Sequence, residues 1–165
     1  MLTTVAVAGG YLLIAVPNVE LLSLTIAFAG LLLGSASGAM VGIASGAIFS
    51  TLNVFGLPYP PVWIAQLTGY AVTGLLFGGL RRLLTSGSSW QISLKCAVLA
   101  LITTFFYDML TNIAFPIATG VGPSQWWAYI LAGIPFMITH LVSNTLLFAV
   151  LLPIAYKRLG VRYAL

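Results

Sequence analysis

Long apolar runs, broken by short clusters of Pro, Gly, Asn and Ser, set the pattern of the chain. The breaks fall at Pro17-Asn18, around Gly34 to Gly38, at Asn53 to Pro61, at Arg81 to Trp90 and at Pro116 to Trp127. Such clusters end helices, because proline lacks a backbone donor and glycine readily adopts turn conformations. The punctuation predicts an all-α fold, a single integral membrane domain of six transmembrane helices, with spans at about 2-16, 19-34, 37-52, 62-80, 92-115 and 127-156. Crossing a hydrocarbon core of roughly 30 Å takes about 20 residues at 1.5 Å each, and the last three spans meet that requirement. Leu2 to Val16 reaches only about 22 Å, so the first span is expected to be short or to thin the bilayer locally. A single helix from Val19 to Thr51 would be about 50 Å long, too long for one crossing, so a turn is expected near Gly34 to Ser37.

Composition turns this pattern into a membrane assignment. The 165 residues are 61% hydrophobic and 5% charged, against roughly 25% charged in a soluble domain. Eight Asp, Glu, Lys and Arg side chains in all, two acidic and six basic, cannot cover a soluble surface of this size. The six basic residues are too few and too scattered for a nucleic-acid footprint, and no nucleic-acid partner is expected. They act instead as topology signals. Arg81 and Arg82 follow the fourth span, Lys95 opens the fifth, and Lys157, Arg158 and Arg162 follow the sixth, so with six spans all lie on one side. That side is expected to be cytoplasmic, with both termini on it. The three opposite loops, Pro17 to Val19, Asn53 to Pro61 and Pro116 to Trp126, hold no Lys or Arg. No basic stretch precedes Leu2 to Val16, which favours a retained first span over a cleaved signal peptide. Cys96, the only cysteine, has no internal disulfide partner and reads as a small buried hydrophobe.

Gly30, Gly34, Gly38, Gly42 and Gly46 recur every four residues, with Ala and Ser between them. Such a face lets helix backbones approach closely in lipid, where apolar burial barely drives association. It serves either internal packing or a partner subunit meeting Gly38, Gly42 and Gly46. The ladder contains "GSASG" and "GIASG", one residue too long for the Gly-x-Ser-Gly of rhomboid-type intramembrane serine proteases. An aspartyl-type intramembrane protease needs two aspartates and this chain has one, so neither kind of intramembrane protease is expected.

Ionisable groups inside a membrane are costly and each is a candidate functional residue. Asp108 and Asn112 are four apart on the fifth helix, flanked by Tyr107 and Thr111; His140 and Asn144 are four apart on the sixth, near Ser143. Four-residue spacing puts each pair on one helix face. At helical rise both stripes lie in the outer or middle part of the bilayer, on the order of 12 to 20 Å deep. Trp63 and Gln66 enter the outer end of the fourth helix, Asn18 and Glu20 the outer end of the second, and Asn53 and Trp126 come from the outward loops. Together they outline one outward-opening pocket. Alternatively, Asp108 and His140 lock two helices together, Glu20 caps its helix through the dipole, and Trp126, Trp127 and Tyr129 form an interfacial belt. One His, one Cys and two scattered carboxylates do not make a metal cluster.

The order of a short first helix, "PNVELLSL", a Gly/Ala-rich second and third span, "NVFGLPYPP", "WIAQLTGYAVTGLLFGGLRR", "YDMLTNIAF" and "AGIPFMITHLVSNTLLFAVLLP" resembles the S component of an energy-coupling factor transporter across nearly the whole chain. The resemblance implies a membrane subunit in a prokaryotic plasma membrane. It would capture a vitamin or related micronutrient from outside and deliver it by toppling in the membrane. Its implied partners are a transmembrane T subunit and two cytoplasmic ATPases, with ATP bound there and no cofactor in this chain. The family's Ala-x-x-x-Ala face for the T subunit finds its nearest counterpart in Ala6 and Gly10. Two carboxylates near a pocket without Lys or Arg favour a neutral or cationic, donor-rich ligand. A membrane scaffold and a stand-alone secondary carrier using Asp108 as a proton site are the alternatives.

Overall fold

The computed structural model describes residues 1–54 and 56–159; Arg162, one of the six basic topology signals, lies outside them. Every regular element among the described residues is helical: α1 Leu2–Leu12, α2 Leu22–Leu33, α3 Ser35–Thr51, α4 Pro60–Gly79, the single-turn α5 Arg81–Leu84, α6 Ser89–Thr119, a 3₁₀ turn Pro123–Gln125, and α7 Trp126–Leu159. Three segments, Pro60–Gly79, Ser89–Thr119 and Pro123–Leu159, are long and apolar enough to cross a membrane.

Local chemistry explains the boundaries. α1 stops short of the expected Val16, because the chain turns from Leu13 onward toward Pro17 and into Asn18, whose φ of 57° is left-handed; Asn tolerates that region better than most residues. The break between α2 and α3 is a single residue. Gly34 takes φ 89° and ψ 175°, a conformation essentially reserved for glycine. Pro60 and Pro61 open α4, where a missing donor is harmless. A reciprocal capping box of Ser88 and Gln91 starts α6, and left-handed Gly120 ends it. The helix runs on through Pro116 to Thr119, past its expected end at Phe115.

α4 is the central element, packed against α2, α3 and α6, while α7 lies along α6 and touches α2, and α1 rests on α2 and α3. Glycines bring the central helices together. A methyl group at Gly38 would lie 2.5 Å from the Gly74 carbonyl oxygen and 2.6 Å from the Gly30 Cα. At Gly74 it would run into the Gly38 carbonyl, at Gly42 into the Tyr70 carbonyl and at Gly46 into the Tyr70 ring. The expectation of a partner face at Gly38, Gly42 and Gly46 is therefore corrected, because α4 of the same chain fills it. Ala6 and Gly10 are likewise buried, with the Phe49 ring against Gly10.

The larger apolar core lies toward the basic end. Ala27, Leu31, Phe77, Leu84, Cys96, Leu99, Phe148 and Leu152 pack together there, with the Phe77 and Phe148 rings 5.4 Å apart. Just beyond it, Lys95 Nζ donates to the carbonyls of Leu83 and Ser86 at 3.0 and 2.9 Å. Lys157 Nζ donates to Ser89 Oγ at 2.7 Å. These bonds tie the end of α7, the start of α6 and the α5 turn into one basic pole.

Gly74→Ala is expected to destabilise the bundle by about 3 kcal/mol, the upper end of overpacking penalties, since backbone rather than a flexible side chain must yield. Gly79→Ala, whose added carbon would meet only Ser35 Oγ at 3.2 Å, should leave stability nearly unchanged. Unfolding of both variants in detergent checks the contrast.

Candidate functional site

Burial leaves few solutions for an acid among apolar helices, because an unpaired buried charge is costly. The chain's two acids and only histidine meet at one point. Asp108 on α6 and His140 on α7 are both buried, and His140 Nδ1 lies 2.7 Å from Asp108 Oδ1. Glu20, just ahead of α2, brings Oε1 to 3.8 Å from His140 Nε2. Its carboxylate also accepts a hydrogen bond from Ser23 Oγ. Glu20 makes no side-chain cap bond to the backbone at the start of α2, and its carboxylate lies between the Ser23 hydroxyl and the imidazole.

Asn144, one turn below His140, sets the ring from the other side. Its Nδ2 lies 3.0 Å from His140 Nε2 and donates to Thr104 Oγ1 at 3.1 Å. In that arrangement Nε2 accepts and Nδ1–H donates to Asp108. Two buried oxygens, Asp108 Oδ2 and Asn144 Oδ1, take no hydrogen bond among the described residues.

The strap between α1 and α2 closes over this cluster. Asn18 Nδ2 donates to the Phe136 carbonyl at 2.9 Å, and Ser143 Oγ donates to the Asn18 carbonyl at 2.8 Å. Left-handed Asn18 thereby pins the strap to α7. From α4, Gln66 accepts from Ser50 Oγ at 2.8 Å, and the Tyr70 hydroxyl receives that of Tyr107 at 3.2 Å, with the two rings 4.9 Å apart. The Tyr107 ring stands edge-on to His140, centroids 5.7 Å apart.

Three cavities share lining residues here, and two of them border the cluster. One of about 310 Å³ lies under the strap, between Leu13, Ile14, Glu20, Phe49, Tyr70 and His140. A second of about 260 Å³ runs between α4, α6 and α7, along Gln66, Asp108, Asn112 and Met137. The third, about 300 Å³, sits under the Gly56 to Tyr59 loop. Asn18 and Tyr107 border the first two, Asn53 the first and third, Gln66 the second and third. Four side chains therefore partition one compartment. No Lys or Arg is among the lining residues of any of the three.

Of the residues singled out from sequence, Asn18, Glu20, Asn53, Gln66, Tyr107, Asp108, Asn112 and His140 line this compartment. Asn144 supports it from below. Trp63 and Trp126 line none of the three cavities; the Trp126 indole donates to the Val121 carbonyl at 3.2 Å within its own loop. Phe49, Ser50, Tyr70, Thr104 and Gly133 belong to the site and were not anticipated. Helical spacing was available for two of them, since Thr104 is four before Asp108 and Tyr70 four after Gln66. Gly133 offered no such signal; a Cβ there would collide with Asn112, so its absence lets that amide nest on α7.

No protein-family profile, curated protein or solved structure matches the chain.

Removing one member of a buried pair strands the other's charge and costs about 3–5 kcal/mol, whereas replacing both with apolar groups can be neutral. His140→Leu is expected to lose that amount, and Asp108→Leu with His140→Leu to recover most of it. A double-mutant unfolding cycle reads the coupling directly.

Proposed function

We propose that this chain is a substrate-specific membrane subunit, the S component of an energy-coupling factor transporter, binding a vitamin or related micronutrient from outside. In this reading α1, α2 and α3 also cross the bilayer, giving six spans with both termini cytoplasmic in the plasma membrane of a prokaryote. The T subunit and two ATPases are separate chains and ATP is hydrolysed there. The observation that carries the reading is the convergence of Glu20, Asp108 and His140 on the wall of a partitioned compartment. A pair that merely locks two helices has no need of adjoining cavities of a few hundred Å³, the size range of small-molecule sites.

The basic pole agrees with the orientation. Lys95 and Lys157 cluster at the end of the bundle remote from the compartment, which opens the compartment outward under the positive-inside rule. The scaffold alternative loses its specific surface, because the ladder at Gly38, Gly42 and Gly46 is used within the chain.

The stand-alone carrier retains one supporting observation, the Asp108–His140 pair itself, since such pairs serve proton relays in transporters. Uptake by the chain alone in liposomes, driven by a pH gradient, would favour it over the subunit reading.

Mass spectrometry of solute released from the purified protein tests the proposal. A small molecule is expected to co-purify at near-stoichiometric level and to be lost with Asp108→Asn. Failure to recover any solute, together with uptake unaffected by deleting the chain in its host, would sink the reading.

A further inference from the structure

The cavity between α4, α6 and α7 is lined by a buried carboxylate, that of Asp108. Asp108 is only 7% exposed. Its Oδ1 faces His140 Nδ1, while Oδ2 is buried without a hydrogen-bond partner among the described residues, and Asp108 is one of the residues that line this cavity. An unpaired buried carboxylate oxygen is unfavourable by several kcal/mol unless something supplies a donor. Asn112, Gln66 and Asn18 bring amide groups to the same wall, and Phe136 and Met137 form its apolar side.

The charges facing this point come from every helix around it. Glu20 before α2 and Asp108 on α6 are acids, His140 on α7 sits between them, and Tyr70 on α4 and Tyr107 on α6 contribute only phenols. Two carboxyl groups thus outnumber the single imidazole around this point. No lysine or arginine lines the cavity to offset them. An anionic group would meet uncompensated repulsion in a medium of low dielectric.

We propose that this cavity is the head-group subsite of the solute pocket and takes an organic nitrogen cation, an ammonium or amidinium group whose N–H donates to Asp108 Oδ2. The inference rests on the reading of the compartment as a solute site and names the charge of the solute it holds. The side-chain carbonyls of Asn18 and Asn112 are the further acceptors for the remaining N–H groups. Tyr107, which borders this cavity and the one under the strap, presents an aromatic face to the cation. The rest of the solute then lies under the strap, beside Phe49 and Tyr70.

Three probes of one shape and different charge test the assignment: benzamidinium, benzamide and benzoate, titrated calorimetrically into the purified full chain at constant ionic strength. Benzamidinium should bind about ten-fold tighter than benzamide, equivalent to about 1.4 kcal/mol, with benzoate undetectable. Asp108→Asn, shown to be folded by a cooperative unliganded melting transition, should abolish the difference. Gln66→Glu adds a second acid to the same wall and should tighten benzamidinium several-fold, which keeps the test decisive if Asp108→Asn does not fold. Equal binding of the three probes, benzamidinium preference surviving in Asp108→Asn, no gain in Gln66→Glu, an equal response to sodium chloride alone, or no binding by any probe would each overturn the proposal. A co-purified solute that is neutral or anionic overturns the cation subsite and leaves the solute-binding reading standing; recovery of no solute, together with uptake unaffected by deleting the chain, removes both.

Discussion

Close approach of backbones at the centre of the bundle is the constraint on which the remaining structure depends. Apolar surface gains little by leaving lipid for protein, so helices cohere through contact distance and through polar groups that find partners. Gly30 and Gly38, on either side of the Gly34 corner, meet Gly74 and Gly78 of α4 with no room for a single added carbon. That seating fixes α4 along its axis and about it. Gln66 and Tyr70, one turn apart, then face α6, where Tyr107 and Asp108 stand. A displacement of α4 by a few tenths of an ångström would open the hydroxyl pair and change the shape of two cavities at once.

On this scaffold the polar groups assemble in pairs that cross between elements. The strap reaches α7 through Asn18, α6 reaches α7 through Asp108 and Thr104, and α3 reaches α4 through Ser50 and Gln66. Each joint buries a polar atom with a partner, as a low-dielectric interior requires. The exceptions among the described residues include Ser45 Oγ, Trp63 Nε1 and Thr145 Oγ1, and two more, Asp108 Oδ2 and Asn144 Oδ1, belong to the residues hydrogen-bonded to the imidazole. Unsatisfied atoms at such a place are the expected signature of a site whose partner comes from outside the chain.

Much of this was legible in the pattern of residues. Breaks at Pro17, Gly34, Asn53 to Pro61 and Gly120 follow from backbone chemistry that needs no tertiary context, and the helices fall between them in the expected order. Four-residue spacing likewise placed Asp108 with Asn112 and His140 with Asn144. What spacing cannot carry is rotation of one helix against another. Spacing favoured internal packing for the ladder without naming the helix that fills it, which is α4, and it left Trp63 and Trp126 eligible for a pocket that their helix faces do not reach. The short α5 and the role of Gly133 depend on contacts made by residues far away in sequence, so local propensity held no sign of them.

The apolar layer built from Leu31, Phe77, Leu99, Phe148 and Leu152 lies between the polar compartment and the basic pole. It makes the compartment a cul-de-sac. Under the proposed function, a solute beside Asp108 would have polar groups on one side and a stack of aromatic and aliphatic side chains on the other. Passage straight through would require that stack to part and wet, whereas a movement of the whole bundle relative to the bilayer would turn the same mouth toward the other side with the core intact.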